Sequence, residues 1–212
     1  MEDIVANSEL SLKASIVKWG KELYDCGMVK GSGGNISVKL NHSVLLTPTG
    51  FFLGHLDVDL ISKTDSNGVL IDGPKPTKEL PMHLAAYKAL PNVNAVVHLH
   101  SPYATALAST LPPGGFMPIF LPSAAIKVGR IKITEFALPG TEILANTVYE
   151  SLKFGPAVLL SHHGIITTGK DLAEAVSIAY EIEDNSRLYY ITDGKISQLN
   201  DDIINMLTKV YK

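Results

Sequence analysis

Two histidines stand one residue apart inside the most strand-like apolar run of the chain, AVVHLHSPY at residues 95–103. Side chains alternate between the two faces of a strand, so His98 and His100 lie on one face while Val97 and Leu99 lie on the other. An imidazole in such a run has to be hydrogen-bonded, charged or bound to a metal ion. The chain must therefore form a strand that gives both rings a partner on the same face.

Strand-like and helix-like segments are interspersed along all 212 residues, and no repeat, low-complexity segment or linker separates them. This organisation predicts a single mixed α/β domain over residues 1–212. The predicted helices cover residues 8–26, 78–90, 101–109, 141–152, 171–191 and 201–212. The predicted strands lie within residues 30–40, 43–50, 94–101, 124–128, 131–136 and 157–164, with a hairpin over 65–73.

Several residues at the predicted helix ends are typical helix caps. Ser8 and Thr77 can cap the first two helices, and Gly27 can close the first helix in a left-handed conformation. Asp171 and Glu174 have the spacing of a capping box at the start of the longest C-terminal helix. These caps predict where each of the three helices begins or ends.

The charge balance argues against nucleic acid as a partner. The formal net charge is -3, charged residues make up 18% of the chain, and no run of Lys or Arg stands out. Cys26 is the only cysteine, and the first residues lack the pattern of a secretory signal. No apolar window approaches the ~18 residues that span a bilayer. We therefore expect a cytoplasmic protein that acts on a small molecule, without nucleic-acid or membrane partners.

A second pair of histidines, His162 and His163, ends the apolar run at residues 157–164. A turn through Gly164 can aim one of them at the first pair. We select His163 as the third metal ligand because it directly precedes the glycine, and we give His162 a supporting role. Three neutral imidazoles leave a bound metal ion its full positive charge and an open position. The pattern thus predicts a Lewis acid that polarises a carbonyl or stabilises an enediolate.

Glu79 is the candidate general acid/base, because it begins the helix that leads into the strand of His98. The alternative is a carboxylate that merely stabilises a helix N-terminus. The other histidines are interpreted as hydrogen-bonded core or rim residues: His42, His55 and His83.

Three turns have the composition of an anion-binding site. KGSGGNISV at residues 30–38 can present consecutive backbone N–H groups. TPTG at 47–50 and PTK at 76–78 add hydroxyl groups, and Lys78 adds a positive charge. Neither a dinucleotide-binding pattern nor a Walker A loop is present. Together with a metal ion, the turns indicate a substrate held by its phosphate while the metal acts on its carbonyl.

Five motifs in this order resemble the class II aldolase/adducin family: SGGNISV, TPTG, KPTKE, VVHLHSPYATALA and SHHG. The resemblance covers about residues 10–190. It implies a three-layer α/β/α fold with a central, largely antiparallel sheet. It also implies a C4 homotetramer with active sites at the subunit interfaces.

The resemblance to members related to fuculose-phosphate aldolase also implies the site residues. Glu79 takes the acid/base role and is a possible fourth ligand of the resting metal. The implied ion is zinc, with manganese or cobalt as alternatives. The implied metal ligands are His98, His100 and His163, and the implied phosphate-binding residues are Gly34, Asn35, Thr49, Gly50 and Thr77.

Within the family, the segment KPTKE is similar to that of the 3-oxo-tetronate 4-phosphate decarboxylases. Aldolases of the family commonly have two serines before the glutamate, whereas this chain has Lys78, which could pair with a substrate carboxylate or phosphate. The segment HHGIITTG departs from the HGPVV ending of the decarboxylase branch. The resemblance implies a zinc lyase that decarboxylates a 3-oxo-tetronate 4-phosphate through a metal-stabilised enediolate.

Other functions stay open at this point. One is an L-fuculose 1-phosphate-type aldolase that gives dihydroxyacetone phosphate and an aldehyde, and another is a non-catalytic adducin-like scaffold. Epimerisation of a pentulose phosphate is less favoured, because that branch has Asp where this chain has Glu79. In the tetramer, a tyrosine could also act from a neighbouring subunit, the candidates being Tyr103, Tyr190 and Tyr211.

Overall fold

A twisted sheet of eight strands forms the centre of the molecule, in the order β4-β3-β2-β1-β5-β8-β7-β6. The structure is a computed structural model that describes residues 2–211, with side chains from residue 9 onward. All neighbouring strands pair antiparallel except β6 and β7. The strands are β1 (Asn35–Leu40), β2 (Ser43–Leu46), β3 (Ser62–Asp65), β4 (Leu70–Asp72), β5 (Ala95–Leu99), β6 (Lys132–Ile133), β7 (Ala157–Leu160) and β8 (Gly164–Gly169).

Helices cover both faces of the sheet. They are α1 (Glu2–Asp25), α2 (Leu80–Ala89), α3 (Pro102–Thr110), α4 (Pro122–Lys127), α5 (Glu142–Ser151), α6 (Leu172–Ile191) and α7 (Asp201–Tyr211). Helices α2 and α5 pack on one face through a core that includes Met82, Val96 and Val148. The other five helices share a larger core on the opposite face. This arrangement confirms the predicted three-layer α/β/α fold with a largely antiparallel sheet. Within residues 2–211, no helix combines the length and the apolarity needed to cross a membrane.

Two of the predicted helix starts are wrong. Helix α1 begins at Glu2, so Ser8 lies inside the helix instead of capping it. Helix α2 begins at Leu80 with Glu79 as the residue before it, because the Thr77 hydroxyl accepts from the Glu79 amide and forms a separate turn. The Asp171 cap is confirmed, since its carboxylate accepts a hydrogen bond from the Glu174 amide.

The predicted strand at residues 124–128 is also wrong, because residues 124–127 belong to helix α4 and Val128 is its C-cap. Pro122 occupies the first helical position, where its missing N–H costs nothing, and Ala124 and Ala125 favour a helix and are buried. The strand predicted over 131–136 shortens to the two residues of β6. Strand β8 was not predicted, since its two threonines and terminal glycines hide its apolar pattern.

Candidate metal centre and substrate cavity

The end of β5 and the turn between β7 and β8 bring three histidines together. His98 is the fourth residue of β5, and His100 follows the end of the strand. His163 lies in the β7–β8 turn, where its amide donates to the carbonyl of Leu160. This turn approaches β5 so closely that a Cβ atom on Gly164 would lie 2.2 Å from the carbonyl oxygen of Leu99. A glycine is therefore required at the position where the turn brings His163 against the β5 histidines.

Glu79 completes this group, which we call the metal group: Glu79, His98, His100 and His163. The Nε2 atoms of His98 and His100 are 3.0 Å apart. The two carboxylate oxygens of Glu79 lie 3.2 Å from His98 Nε2 and 3.1 Å from His163 Nε2. One ligand atom from each residue falls within 4.8 Å of every other. These spacings fit four ligands around one ion, since nitrogen ligands about 2.1 Å from a tetrahedral zinc lie about 3.4 Å apart.

The hydrogen bonding of the imidazoles also favours a cation. His98 Nδ1 donates to the carbonyl oxygen of Ile165 at 2.8 Å, so its Nε2 lone pair points at His100 Nε2 and at Glu79. Such a backbone contact is the usual way in which a protein fixes the ligating tautomer of a histidine. Lone pairs that face each other in a buried site repel unless a positive charge lies between them. The residues present therefore fit a divalent cation bound by nitrogen and one carboxylate.

The environment shifts the pKa values of two members of the metal group. Loss of solvent, followed by the neighbouring His98 and His163, lowers the pKa of His100 to about 4, so this ring is neutral at pH 7. Burial raises the pKa of Glu79, whereas a positive charge at His98, which a bound cation would supply in its place, and hydrogen bonds from His163 and Asn35 hold the pKa below its usual range. Glu79 is accordingly an ionised carboxylate at neutral pH in this arrangement.

A cavity of about 520 Å³ opens beside the metal group. His98 is fully buried, and the other three members of the metal group line the cavity. The six residues predicted to hold the substrate or its phosphate also line it: Gly34, Asn35, Thr49, Gly50, Thr77 and Lys78. The structure thus brings every predicted substrate-binding residue next to the predicted metal ligands. Lys30 lines the same cavity and was not singled out from the sequence, although it opens the glycine-rich turn.

The glycine-rich turn is shaped by its approach to the β5 histidines. A Cβ atom on Gly33 would lie 3.0 Å from His100 Nδ1, and one on Gly34 would lie 2.9 Å from the carbonyl oxygen of His98. Several amides of the three predicted anion-binding turns already donate to carbonyl oxygens, namely those of Gly33, Thr49 and Thr77. The amides of these three residues are therefore not free to bind an anion, and the predicted anion site stays a prediction.

The remaining predicted residues lie away from the cavity. His162 is exposed at a φ of +55° and lies outside the metal group, and the supporting role predicted for it stays a prediction. His55 is exposed and packs against Tyr24 and Phe52, and His42 lines a larger cavity of about 670 Å³ between the β1–β2 end and helices α2 and α5. Among the described residues, no tyrosine lines the cavity beside the metal group, including Tyr103, Tyr190 and Tyr211.

A line of hydrogen-bonded side chains, which was not predicted from the sequence, runs behind Glu79. Asn35 Nδ2 donates to Glu79 Oε2 at 2.9 Å, and Asn35 Oδ1 lies 2.5 Å from His83 Nε2. Ser37 Oγ lies 2.7 Å from His83 Nδ1 and 2.8 Å from the hydroxyl of Tyr87. The prediction that His83 is a hydrogen-bonded core residue is confirmed. The spacing could have revealed this line, because Glu79, His83 and Tyr87 recur every four residues.

Comparison with known proteins agrees with this geometry. Residues 14–190 match the family described as the Class II Aldolase and Adducin N-terminal domain. The chain belongs to this family. The curated relatives include a 3-oxo-tetronate 4-phosphate decarboxylase of Haemophilus influenzae, which is 38% identical over 92% of this chain and 94% of its own length. An L-fuculose phosphate aldolase of Methanococcus maripaludis is 38% identical over 81% of this chain and 92% of its own.

Solved structures of class II aldolase family members have the same fold. The crystal structure of YgbL from Escherichia coli superposes with a TM-score of 0.89 at 32% identity, and covers 95% of this chain and 99% of that one. An L-fuculose 1-phosphate aldolase superposes with a TM-score of 0.87 at 28% identity, over 95% and 96% of the two chains. This chain therefore has relatives named as decarboxylases and relatives named as aldolases, and the sequence identity to the two kinds is similar.

Proposed function

We propose that this protein is a metal-dependent lyase that decarboxylates a 3-oxo-tetronate 4-phosphate. The observation that carries the proposal is the position of the metal group in one cavity with Lys30 and Lys78. A substrate with a phosphate at one end and a carboxylate at the other matches a cavity with two cationic side chains. The decarboxylase relatives also align over more of the chain than the aldolase relatives, at similar identity.

We assign the cavity residues to the two ends of the proposed substrate. Thr49 and Thr77 offer hydroxyl donors and Lys30 a positive charge for the phosphate, while Lys78, directly before Glu79, is placed to pair with the carboxylate. A divalent cation bound by the three histidines would stabilise the negative charge that develops on the C3 oxygen when a bond to C2 breaks. Fixing both ends would hold the scissile bond next to Glu79.

The reaction can be written with atoms and charge balanced. The bond between C1 and C2 breaks, C1 leaves as carbon dioxide, and the electron pair forms a C2–C3 enediolate. A proton delivered to C2 then gives dihydroxyacetone phosphate. Glu79 is ionised in the described arrangement, so it has to take up one proton from solvent in each turnover before it can deliver one to C2. The reaction as a whole consumes that proton.

The second candidate is retro-aldol cleavage of a ketose 1-phosphate, favoured by the aldolase relatives. There the bond between C3 and C4 breaks, an aldehyde leaves, and protonation at C3 again gives dihydroxyacetone phosphate. The two reactions therefore share this product. They differ in the leaving fragment, which is carbon dioxide in one case and an aldehyde in the other.

The test is an assay of both leaving fragments with the metal-loaded protein. We expect carbon dioxide and dihydroxyacetone phosphate in equal amounts from a 3-oxo-tetronate 4-phosphate, and no aldehyde from fuculose 1-phosphate. Aldehyde release without carbon dioxide would replace the decarboxylase by the aldolase. If neither substrate reacts and untagged protein holds no stoichiometric metal, the adducin-like scaffold is the better description.

Zinc, the homotetramer and the cytoplasmic location belong to the same proposal. Imidazole and carboxylate are ligands that zinc commonly takes in catalytic sites, and manganese or cobalt can replace it. Metal analysis of protein purified without a histidine tag tests the identity of the metal ion. Light scattering tests the homotetramer. We expect one metal ion per chain and a mass four times that of the chain.

A further inference from the structure

We propose that His83 is a positioning residue that acts through Asn35 to hold the carboxylate of Glu79 in its working orientation. The kinetic part of its test rests on the proposed function. Asn35 and Ser37 are two residues apart on β1, and Glu79 and His83 are four residues apart at the start of α2. These spacings place each pair on one face, so the strand and the helix present a continuous polar line within an otherwise apolar layer.

The direction of every hydrogen bond in this line follows from its end at Glu79. Asn35 turns its Nδ2 group to Oε2 of Glu79, to which it donates at 2.9 Å, and its Oδ1 therefore faces His83 as an acceptor. The facing atom, His83 Nε2, must then carry a hydrogen. Burial, with a smaller contribution from His98, lowers the pKa of His83 to about 3, so the ring is neutral at pH 7 and has only this one N–H.

The rest of the line keeps His83 in that tautomer. His83 Nδ1 has to accept, and the hydroxyl of Ser37 donates to it at 2.7 Å. Ser37 Oγ in turn accepts from the hydroxyl of Tyr87 at 2.8 Å. All donors therefore point towards Glu79, from Tyr87 through Ser37, His83 and Asn35. The amide of Asn35 cannot rotate by 180° without placing two acceptors, or two donors, against each other.

The consequence for Glu79 is a fixed carboxylate plane. Its side chain ends in a torsion with a broad energy minimum, which on its own leaves the two oxygens free to rotate. The amide of Asn35 holds Oε2, so that Oε1 stays 3.1 Å from His163 Nε2. Proton transfer to carbon depends steeply on such placement, since an error of 1 Å can cost about a hundredfold in rate.

A role in stability alone would not require hydrogen-bonded polar side chains at these buried positions. Asn35, Ser37, His83 and Tyr87 are all less than 10% exposed. A buried polar line is stable only while every member is satisfied, and apolar side chains of the same size would fill the space with less risk. The line is polar only along the path that ends at Glu79, whereas its neighbours Val44, Met82 and Val96 on the same layer are apolar.

The experiment compares His83→Gln with His83→Met, because the side chains have similar size but only glutamine offers an N–H to Asn35. We expect His83→Met to lower kcat about tenfold or more, with KM and bound metal within twofold of the wild type. His83→Gln should recover most of kcat. Equal kcat in both variants and the wild type, or equal losses in kcat and metal content, would overturn the positioning role.

Crystal structures of the metal-loaded wild type and of His83→Met give a readout that does not need turnover. We expect the Asn35 amide to leave Glu79 in the variant, and the contact of 2.9 Å in the wild type to be lost. An unchanged contact in the variant would overturn the proposal even if the substrate assignment fails. If His83→Met does not fold, Ser37→Ala is used instead, because it removes the hydroxyl that donates to Nδ1 of His83. We expect Ser37→Ala to lower kcat, but by less than Asn35→Leu does. An unchanged kcat in Ser37→Ala would overturn the proposed role of the line.

Discussion

The two sides of Glu79 are built differently. On the side of the cavity, ring nitrogens of His98, His100 and His163 lie about 3 Å from one another or from the carboxylate. On the side of the sheet, Asn35 and His83 form a line in which every donor meets an acceptor. A folded chain tolerates clustered acceptors only where a ligand completes them. The incomplete side is therefore where we propose that a metal ion and substrate bind, and the complete side is the proposed support that holds Glu79 towards them.

The largest effect is expected when a proposed metal ligand is removed from the incomplete side of Glu79. His98→Ala should lose both the metal ion and all turnover, because the remaining two imidazoles and one carboxylate form a much weaker site. Metal content is measured by mass spectrometry on untagged protein. His162→Asn is the matched control, since Asn tolerates the positive φ and the residue is exposed. If His98→Ala keeps a full equivalent of metal, the ligand assignment is wrong.

The next largest effect separates chemistry from metal binding at Glu79 itself. Glu79→Gln keeps the shape of the side chain and can still contact Asn35, but it cannot exchange a proton. We expect kcat to fall about 10²- to 10⁴-fold while the metal stays bound. Steady-state kinetics and metal analysis of the same preparation measure both. Near-normal turnover would refute the acid/base role and would leave Glu79 as a metal ligand only.

A smaller effect is expected from the two lysines of the cavity. Lys78→Met should lower kcat/KM for a substrate with a carboxylate about 10- to 100-fold, because a charge-assisted hydrogen bond is worth about 1.5–3 kcal/mol. The same change should matter much less for a ketose phosphate, which has no carboxylate. Lys30→Met is the control, and it should lower kcat/KM for both substrates alike, because both carry the phosphate that Lys30 is proposed to hold. Equal losses for both substrates in Lys78→Met would place this lysine at the phosphate instead.

The incomplete side was easier to predict from the sequence than the complete side. The alternation of a strand placed His98 and His100 on one face, and the glycine after His163 indicated the turn that brings it near. Asn35 and His83 signal nothing individually, because a lone polar residue in an apolar pattern is usually just a satisfied core residue. Their role follows from the contact between β1 and α2, which are distant in sequence.

The secondary structure predicted from local sequence was also wrong in segments where tertiary packing determines it. AAIKV at residues 124–128 reads as a strand by its apolar run, but it is a helix that packs against α6 and α7. Strand β8 was missed although it pairs with both β5 and β7. Its residues Thr167 and Thr168 are fully buried because the neighbouring strands and carbonyl groups satisfy them, which no single segment of sequence reveals.

The smallest expected effect concerns the turn that carries the third histidine. Gly164→Ala would place a Cβ atom 2.2 Å from the carbonyl oxygen of Leu99, so the turn has to move away from β5. We expect a loss of about 1–3 kcal/mol in the free energy of unfolding, measured in urea. Gly27→Ala is the control: Gly27 also has a positive φ, but no atom lies within 4 Å of its added Cβ, so only backbone strain of about 1 kcal/mol is expected.

The comparison becomes sharper if Gly164→Ala also weakens metal binding while Gly27→Ala does not, because crowding would then have displaced His163 from the incomplete side of Glu79. Equal metal affinity in both variants would mean that the turn adapts without moving the imidazole, and that the close approach to β5 serves stability alone.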